Sequence, residues 1–437
     1  MLEACMAKSF FSLKQPKEMY WLSLTEMCQR FAFYGIAYLL VLYLVGYQKF
    51  TDFAADQLFG IFTGAAFILP LLGGLIADRM NYKMPVVWGM LSTALGCFLM
   101  TTGMMPIVYA GLVLIALGTG VFTPSIYAIL GSLYHTQHNL RDSGFSIYYA
   151  AVNIGSFLAM IILGAIGQNI SWHGAFFLAG LIQLCGLFSF KKALKTIDLN
   201  KISPSTIKGS QKKKPVMHPH EKKRIWVICI LSFFSILFWM AYNQGGSSMN
   251  LFAQSFTNRS EFGFTMPTTW LVSSESLYLI ILAIPLAKLY TYLTKRKMDP
   301  SPPLKASLSL ISMGICFAIM AIGASQIPSG AITAAISPFY LFTAYFFMAI
   351  GEMLFIPIGL SLITHLSPRR FTALLVGVWY LCIGFGFYFG GAIAPLMSML
   401  KTMSSFFGIF VAISFIAGLI LMLLVKKLNK MRHLNSL

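Results

Sequence analysis

The sequence predicts an all-α membrane protein with 12 transmembrane helices arranged as two six-helix bundles. Its composition is the first reason, since 57% of the 437 residues are hydrophobic and only 10% are charged, whereas soluble proteins carry about 25% charged residues. The second reason is a series of twelve apolar runs. The third is one long basic segment that separates the first six runs from the last six. Most of the protein surface must therefore face lipid.

Each predicted helix is an apolar run long enough to cross a bilayer. A hydrocarbon layer of about 30 Å needs roughly 20 helical residues at 1.5 Å each. The runs that meet this length are 19–45, 54–77, 85–103, 105–130, 143–167, 173–190, 224–254, 268–294, 305–325, 335–366, 371–397 and 404–426. The first run is too long for the apolar core of a cleavable signal peptide, so we expect it to remain as a span.

The net charge of +19 is distributed unevenly between the loops. Only Lys49, Arg259 and Lys401 fall in loops on one side of the predicted topology, whereas the other basic loop residues fall on the opposite side. The positive-inside rule therefore predicts an integral, multi-pass protein of the plasma (inner) membrane with both termini in the cytoplasm. Because the charge reports topology and no basic nucleic-acid-binding pattern accompanies it, we expect no nucleic-acid partner.

The basic segment 191–223 is polar and is predicted to be a cytoplasmic linker. It divides the chain into an N-terminal six-helix bundle, 1–190, and a C-terminal six-helix bundle, 224–437. The linker is either a solvated tether or a segment that lies on anionic headgroups, which would make membrane lipid a partner. Both halves carry the pattern G-x-x-x-F-x-P in their fourth span, at 118–124 and 351–357. Two related bundles indicate a transporter with a pathway between them.

Charged side chains inside the first span are the strongest functional candidates. A charge at mid-bilayer costs about 2.5–3.5 kcal/mol on insertion scales, so such a residue predicts a function. Glu26, Arg30 and Tyr34 follow one another at intervals of four residues and form one helical stripe, flanked by Gln29 and Phe33. Arg30 can neutralise Glu26 and keep donors for a substrate carboxylate. The alternative is a structural pair that only orients the helix.

Two further carboxyl groups lie in later spans. Glu352 stands between Gly351 and Met353 in an apolar span, and burial there favours its protonated form, as proton coupling requires. The alternative is a permanently protonated Glu352 that hydrogen-bonds a neighbouring helix. Glu275 lies in the eighth span, nearer the predicted outer end, and structural and functional interpretations are equally open for it.

Enzyme chemistry is not expected. The sequence contains no nucleophile elbow, zinc-protease motif or Walker loop. The seven cysteines lack paired spacing, and the histidines lie in loops or at span ends. We therefore expect no catalytic residue, no metal site and no cofactor.

Motifs in several spans are recognisable together. They are EMCQRFAFYG at 26–35, GLIADR at 74–79 followed by Lys83, FSIYYAAVNIGSF at 145–157, WMAYNQGGSS at 239–248, GEMLFIPIGLS at 351–361 and a tryptophan at Trp379. Over nearly the whole chain, these motifs resemble the proton-dependent oligopeptide transporter family of the major facilitator superfamily.

The resemblance implies the major facilitator fold and proton-coupled symport of di- and tripeptides by alternating access. It implies three groups of residues. Proton coupling is expected at Glu26, Glu352 and Glu275. Substrate binding is expected at Arg30, Tyr34, Phe33, Gln29, Asn153, Thr123, Asn243, Gln244, Glu352 and Trp379. Conformational gating is expected at Gly74, Asp78, Arg79, Pro124 and Pro357. The expected partners are short peptides, protons and membrane lipid, and we expect a monomer.

The chain departs from the family pattern at several ionisable positions. Gln29 and Asn243 stand where the family has Glu, and Thr123 stands where it has Lys. An acid and a base are lost together at Gln29 and Thr123, which costs less than losing one of them. The departures leave an alternative open, namely a proton-independent facilitator or exchanger of another small zwitterion. A transporter-like receptor or scaffold without turnover is a further alternative.

Overall fold

The computed structural model describes residues 15–77, 79–134, 138–195, 219–260, 263–296, 298, 300–367, 372–394, 396, 399–400 and 402–432. These residues are helical apart from their loops and one isolated bridge between Thr257 and Ile336. The principal helices are α1 Lys17–Gly46, α2 Asp52–Ala77, α3 Lys83–Met100, α4 Met105–Leu133, α5 His138–Asn169, α6 Trp172–Leu194, α7 Pro219–Tyr242, α8 Ser248–Ser255, α9 Thr268–Lys295, α10 Pro302–Ala324, α11 Phe339–Leu366, α12 Thr372–Ala392 and α13 Met403–Arg432.

The predicted number of membrane spans is confirmed. In the described part of the chain, 12 helical segments are long and apolar enough to cross a membrane. α7 and α8 together form the seventh of them, interrupted by a short 3-10 turn at Asn243–Gly245. The protein is therefore an integral, multi-pass membrane protein of the all-α class.

Several helices begin or end at residues that favour a boundary. Pro106 lies in the first turn of α4, where the missing N–H of proline costs no helical hydrogen bond. α6 begins after Ser171, whose hydroxyl accepts a hydrogen bond from the Gly174 N–H at 3.2 Å. α6 ends with Lys191 and Lys192, whose charges are favourable near a helix C-terminus.

Small residues allow helix backbones to approach closely, as is common in membranes. Along the α3–α4 contact, a Cβ atom added at Gly118 would lie 2.5 Å from the carbonyl oxygen of Gly89. One added at Gly96 would lie 2.6 Å from the carbonyl oxygen of Gly111. Both helices therefore depend on glycine at two levels of their contact.

The contacts divide the chain into two compact units. The first comprises Met1–Tyr43, Ala65–Ser210 and Pro267–Met298, and so contains α1, α3 to α6 and α9. The second comprises Leu44–Gly64, Gln211–Met266 and Asp299–Leu437, and so contains the first half of α2, together with α7, α8 and α10 to α13. The predicted division of the chain at 191–223 stays a prediction.

Candidate functional site

The intramembrane ion pair of α1 lies inside the first unit. Arg30 Nε donates to Glu26 Oε1 at 2.7 Å, one helical turn away, as the sequence spacing predicts. The hydroxyl of Tyr148 on α5 donates to the other oxygen of Glu26 at 2.5 Å. Glu26 is fully buried and Arg30 is 8% exposed. Both oxygens of the carboxylate are thus satisfied, whereas the two terminal NH2 groups of Arg30 lie outside this contact.

Tyrosine rings surround this pair. Tyr34 follows Arg30 by one turn on α1 and is half-buried, with its ring 5.2 Å from that of Phe33. The ring of Tyr127 lies 5.3 Å from that of Tyr148, which bonds Glu26. The ion pair therefore has phenol groups nearby, which suit a charged ligand in a site of low dielectric.

Gln29 lies on a different side of α1, in a buried amide network. Its Nε2 donates to Thr119 at 3.1 Å and to Thr93 at 3.4 Å. Its Oε1 accepts from the Gln183 side chain of α6. Gln29 and Gln183 are both fully buried. The network connects α1 to α3, α4 and α6, and the predicted role of Gln29 in substrate binding stays a prediction.

Two other predicted substrate residues of the first unit bond to their own helices. The hydroxyl of Thr123 donates to the Thr119 carbonyl oxygen at 2.9 Å. The Asn153 amide donates to the carbonyl oxygen of Tyr149 at 3.0 Å. Thr123 is 9% exposed and Asn153 is 7% exposed. Each therefore satisfies one polar group locally and keeps its remaining acceptor for another partner.

Glu352 on α11 lies in the second unit and is 7% exposed. The hydroxyl of Tyr242, the last residue of α7, donates to Glu352 Oε2 at 3.0 Å. The carboxyl group thus has a partner from another helix, in accord with one of the two interpretations open from the sequence. A neutral donor can hold either protonation state of the carboxyl, so this contact permits titration.

An aromatic cluster surrounds Tyr242. Phe355 stacks between Phe238 at 4.5 Å and Trp379 at 5.7 Å, with interplanar angles of 8° and 18°. Trp239 lies 5.0 Å from the Tyr242 ring and stacks on Phe387 at 5.5 Å. Trp379 is thereby linked to the surroundings of Glu352 through Phe355. Aromatic faces beside a carboxyl group suit an ammonium group or an apolar side chain.

The break between α7 and α8 places Asn243 and Gln244 in the second unit. Asn243 Oδ1 accepts from Thr63 of α2 at 3.3 Å. Gln244 Nε2 donates to the Gly390 carbonyl oxygen at 2.9 Å, and its Oε1 accepts from Ser248 at 2.7 Å. Both side chains are 1% exposed. At the break they hydrogen-bond side chains of α2 and α8 and one backbone carbonyl of α12.

Glu275 is 2% exposed and lies in the first unit, in the interior of α9. The adjacent Ser276 donates to Ser156 of α5 at 3.3 Å. A second hydrogen bond joins α9 to α5, since Trp270 Nε1 donates to the Ile161 carbonyl oxygen at 2.9 Å. Glu275 therefore lies beside a polar contact between α5 and α9.

The predicted gating residues lie on several elements. Gly74 of α2 faces Pro124 of α4, with 3.8 Å between a Cβ added at the glycine and the proline Cβ. Arg79 is exposed in the turn that follows α2, and Pro357 lies within α11. Asp78 and the side chain of Pro357 lie outside the described residues.

Three contributors were missed by the sequence interpretation. Tyr148 and Tyr242 hold Glu26 and Glu352, and each lies in a motif that was quoted without a role for the tyrosine. Asp56 of α2 is 1% exposed. The available signal was an acidic residue at the third position of the predicted span 54–77, although that position alone does not determine burial.

In the described part of the chain, twelve apolar helices with buried, hydrogen-bonded charges define a multi-pass membrane protein. The chain belongs to the POT family, because the model of that family matches residues 83–217 and 190–410. The family resemblance of the motifs is thus confirmed. Among curated relatives, the peptide transporter YePEPT of Yersinia enterocolitica is 28% identical, with 91% of each chain covered. Dipeptide and tripeptide permease B of Aliivibrio fischeri is 25% identical, with 96% of each chain covered.

Solved structures support the fold. A crystal structure of peptide transporter POT in complex with sulfate has a TM-score of 0.83 and 23% identity, with 98% of this chain and 99% of that chain covered. A POT family transporter in complex with 5-aminolevulinic acid also has a TM-score of 0.83, at 19% identity, with 95% of this chain and 97% of that chain covered. The predicted major facilitator fold is therefore confirmed.

Proposed function

We propose that this protein is a proton-coupled symporter that imports di- and tripeptides by alternating access. The observation that carries the proposal is the buried Glu26–Arg30 pair, in which Tyr148 holds the second carboxylate oxygen. Such a pair combines a cation for a peptide carboxylate with an acid that can accept a proton. The named peptide transporters among the relatives support the choice of substrate.

Arg30 and Glu26 couple peptide to proton. A peptide carboxylate binds the terminal NH2 groups of Arg30, which suit a planar, bidentate partner. The guanidinium is then shared, and Glu26 loses part of its counter-charge. Glu26 compensates by binding a proton while it keeps its contact with Tyr148. Peptide binding and proton binding thereby favour each other, as symport requires.

Glu352 and the aromatic cluster around Tyr242 serve the peptide amino end and side chain. A carboxylate attracts the ammonium group, and the neighbouring aromatic faces add a cation–π contribution of about 0.5–2 kcal/mol. Trp379, which Phe355 supports from one side, offers apolar surface to a peptide side chain. Tyr34, Phe33, Gln29, Asn153, Thr123, Asn243 and Gln244 complete the proposed substrate set.

Alternating access moves the halves 1–190 and 224–437 about the central site. Gly74 and Pro124, which pack together, and Pro357 are the points at which α2, α4 and α11 bend or slide. Arg79 and Asp78 act at the loop after α2. Glu275 supplies a further proton site beside the α5–α9 contact. Both termini and the linker 191–223 lie in the cytoplasm, where the linker's basic residues favour anionic lipid.

A facilitator or exchanger of another small zwitterion is the second candidate. Amides stand at Gln29 and Asn243, and Gln29 lies in a neutral network. Amides cannot titrate, so fewer groups remain to carry protons. The structural neighbour with bound 5-aminolevulinic acid illustrates such a ligand, which has an amino group and a carboxyl group.

The deciding experiment is uptake of labelled dialanine into proteoliposomes that contain the purified protein, with and without an inward proton gradient. We expect accumulation above equilibrium only with the gradient, and loss of accumulation when a protonophore collapses it. Protein-free liposomes are the control. Equilibration that ignores the gradient would contradict symport and favour the facilitator. Absence of any dialanine movement, with the protein folded, would contradict the choice of peptide as substrate.

A further inference from the structure

Asp56 has no role in the proposed function, although its carboxyl group is buried and its surroundings supply no hydrogen bond among the described residues. The side chain is 1% exposed. In the described part of the chain, neither of its oxygens has a hydrogen-bond partner. A buried carboxylate with no donor would be strongly destabilising, whereas the protonated form avoids most of the desolvation cost.

A tight contact between α2 and α12 accounts for the burial. Asp56 and Gly60 lie one turn apart on the same face of α2. A Cβ added at Gly60 would lie 2.6 Å from Gly391 Cα, and one added at Gly391 would lie 2.7 Å from the Asp56 carbonyl oxygen. The two helix backbones therefore touch beside Asp56, and little space remains for solvent.

A second buried polar side chain, Asn243, lies along the same contact and has an unused donor. Asn243, at the break after α7, accepts from Thr63, which lies about two turns beyond Asp56 on α2. Its Nδ2 atom is buried without a partner among the described residues. A Cβ atom added at Gly390 would lie 2.7 Å from this Nδ2 atom. Consecutive glycines of α12 thus accommodate Asn243 on one side and α2 on the other.

Among the described residues, the structure shows no ion pair to Asp56. Its charged neighbour is Asp52, one turn earlier on the same helix, which is exposed and repels a second negative charge. α12 carries no charged side chain, and its titratable groups are Tyr380, Cys382 and Tyr388. The α7–α8 break contributes only the neutral amides described above.

More distant charges are engaged elsewhere. Lys49, before α2, is exposed and donates to the Gly46 carbonyl oxygen at 2.7 Å. Glu352 accepts from Tyr242 at the end of α7. Arg259, after α8, donates to the Met266 carbonyl oxygen at 3.4 Å. In the described part of the chain, neither these groups nor Asp52 form an ion pair with Asp56.

We propose that Asp56 is a proton-binding site of this transporter, seated in the contact between α2, α12 and the α7–α8 break. The inference rests on the proposed symport and adds a carrier to it. Asp56 holds a proton while the helices are in contact, and gives that proton to water when the contact separates. Asn243 has a neutral amide that cannot titrate, so the carboxylic acid at this contact is Asp56 of α2.

Thermal unfolding tests proton binding without any substrate. A group that binds its proton more tightly in the folded protein contributes stability that is present at low pH and lost as pH rises. Wild-type protein should therefore lose apparent Tm between pH 5 and pH 8, relative to Asp56→Asn, by several degrees. Asp52→Asn is the matched control, since it removes an exposed acid one turn away.

Parallel pH curves for wild type and Asp56→Asn would overturn the proposal. Asn is close in shape to the protonated acid, so folding is expected. Asp56→Ala gives a second test that adds no amide, and it should show the same loss of pH dependence. A wild-type curve that Asp52→Asn flattens as strongly as Asp56→Asn does would also contradict the assignment to Asp56.

Transport then separates this inference from the proposed function. In proteoliposomes, Asp56→Asn should retain dialanine counterflow, while its gradient-driven accumulation falls at least several-fold below that of Asp52→Asn. Accumulation equal to that of the control would refute a role of Asp56 in coupling. If wild type fails to accumulate dialanine, the proposed symport fails, yet the unfolding curves still decide whether Asp56 binds a proton.

Discussion

At the scale of single residues, the protein places charge in the membrane only with help from neutral hydroxyl groups. Glu26 is bonded by Arg30 and Tyr148, and Glu352 by Tyr242. The tyrosine hydroxyl supplies a donor to each carboxyl group, and Glu26 has a cation beside it as well. Asp56 lacks such a hydroxyl among the described residues, so its carboxyl group is buried without a hydrogen bond.

Substitution of Arg30 by Lys should weaken peptide binding by about 10-fold to 100-fold, or about 1.4–2.8 kcal/mol. An ammonium can keep the contact with Glu26, but it cannot offer a planar fork to a peptide carboxylate. Calorimetric titration of the purified protein with dialanine measures the change. Arg259→Lys is the control, because Arg259 lies in a loop and donates to a backbone carbonyl. Equal affinity in Arg30→Lys would remove Arg30 from the binding site.

Substitution of Glu352 by Gln should abolish concentrative uptake and leave counterflow of bound peptide. Gln keeps an oxygen that can accept from the Tyr242 hydroxyl, but it cannot exchange a proton. The measurement is paired uptake and counterflow of dialanine in the same proteoliposomes. Asp52→Asn serves as the control for removal of an acid. Uphill accumulation by the Glu352→Gln protein would exclude Glu352 as a coupling group.

At the scale of elements, glycine positions decide where helices can touch. α3 and α4 meet at Gly89 and Gly118, and α2 meets α12 at Gly60 and Gly391. Lipid offers helices little hydrophobic gain from association, so close packing and polar contacts must hold them together. The buried amide network around Gln29 serves the same purpose for α1, α3, α4 and α6.

Replacement of Gly118 by Ala should destabilise the protein by about 1–3 kcal/mol, because overpacking forces the backbone to shift. The new Cβ would meet the carbonyl oxygen of Gly89 and the hydroxyl of Thr93, each at 2.5 Å. We expect the apparent Tm in detergent to fall by several degrees. Gly131→Ala is a matched control on the same helix, since nothing lies within 4 Å of its added Cβ. A similar Tm for both variants would contradict the packing argument.

At the scale of the whole molecule, the asymmetry of basic residues predicts the orientation in the membrane. Of the 32 Lys and Arg residues, only Lys49, Arg259 and Lys401 fall in loops on the predicted outer side. The positive-inside rule acts on such short loops during insertion. With the predicted orientation, the basic residues of the cytoplasmic face, including the linker 191–223, are expected to attract anionic lipid.

A reporter at the C-terminus should lie in the cytoplasm. In a bacterial host, a C-terminal fusion to green fluorescent protein should fluoresce, whereas a fusion to alkaline phosphatase should be inactive. The reason is that the fluorescent protein is active on the cytoplasmic side of the membrane, whereas the phosphatase is active on the outer side. A fusion after residue 259, in a predicted outer loop, is the control and should give the opposite pair of results. An active phosphatase at the C-terminus would reverse the predicted orientation.

The sequence by itself determined the number of spans and the class of fold. A span must be apolar along its whole length, so composition within a window is sufficient to find it. The sequence also determined the contact between Glu26 and Arg30, because residues four apart on a helix are neighbours whatever surrounds them. The motifs that resemble the POT family needed no coordinates either.

Only the tertiary structure decided which residues meet from distant parts of the chain. Tyr148 lies 122 positions from Glu26, and Tyr242 lies 110 positions from Glu352. In a membrane helix nearly every face is apolar, so hydrophobic periodicity does not tell which side contacts another helix. That is why the sequence did not predict the amide network of Gln29, whose expected role in substrate binding stays a prediction. Burial of Asp56 follows from the same cause, since only the approach of α12 removes its carboxyl group from water.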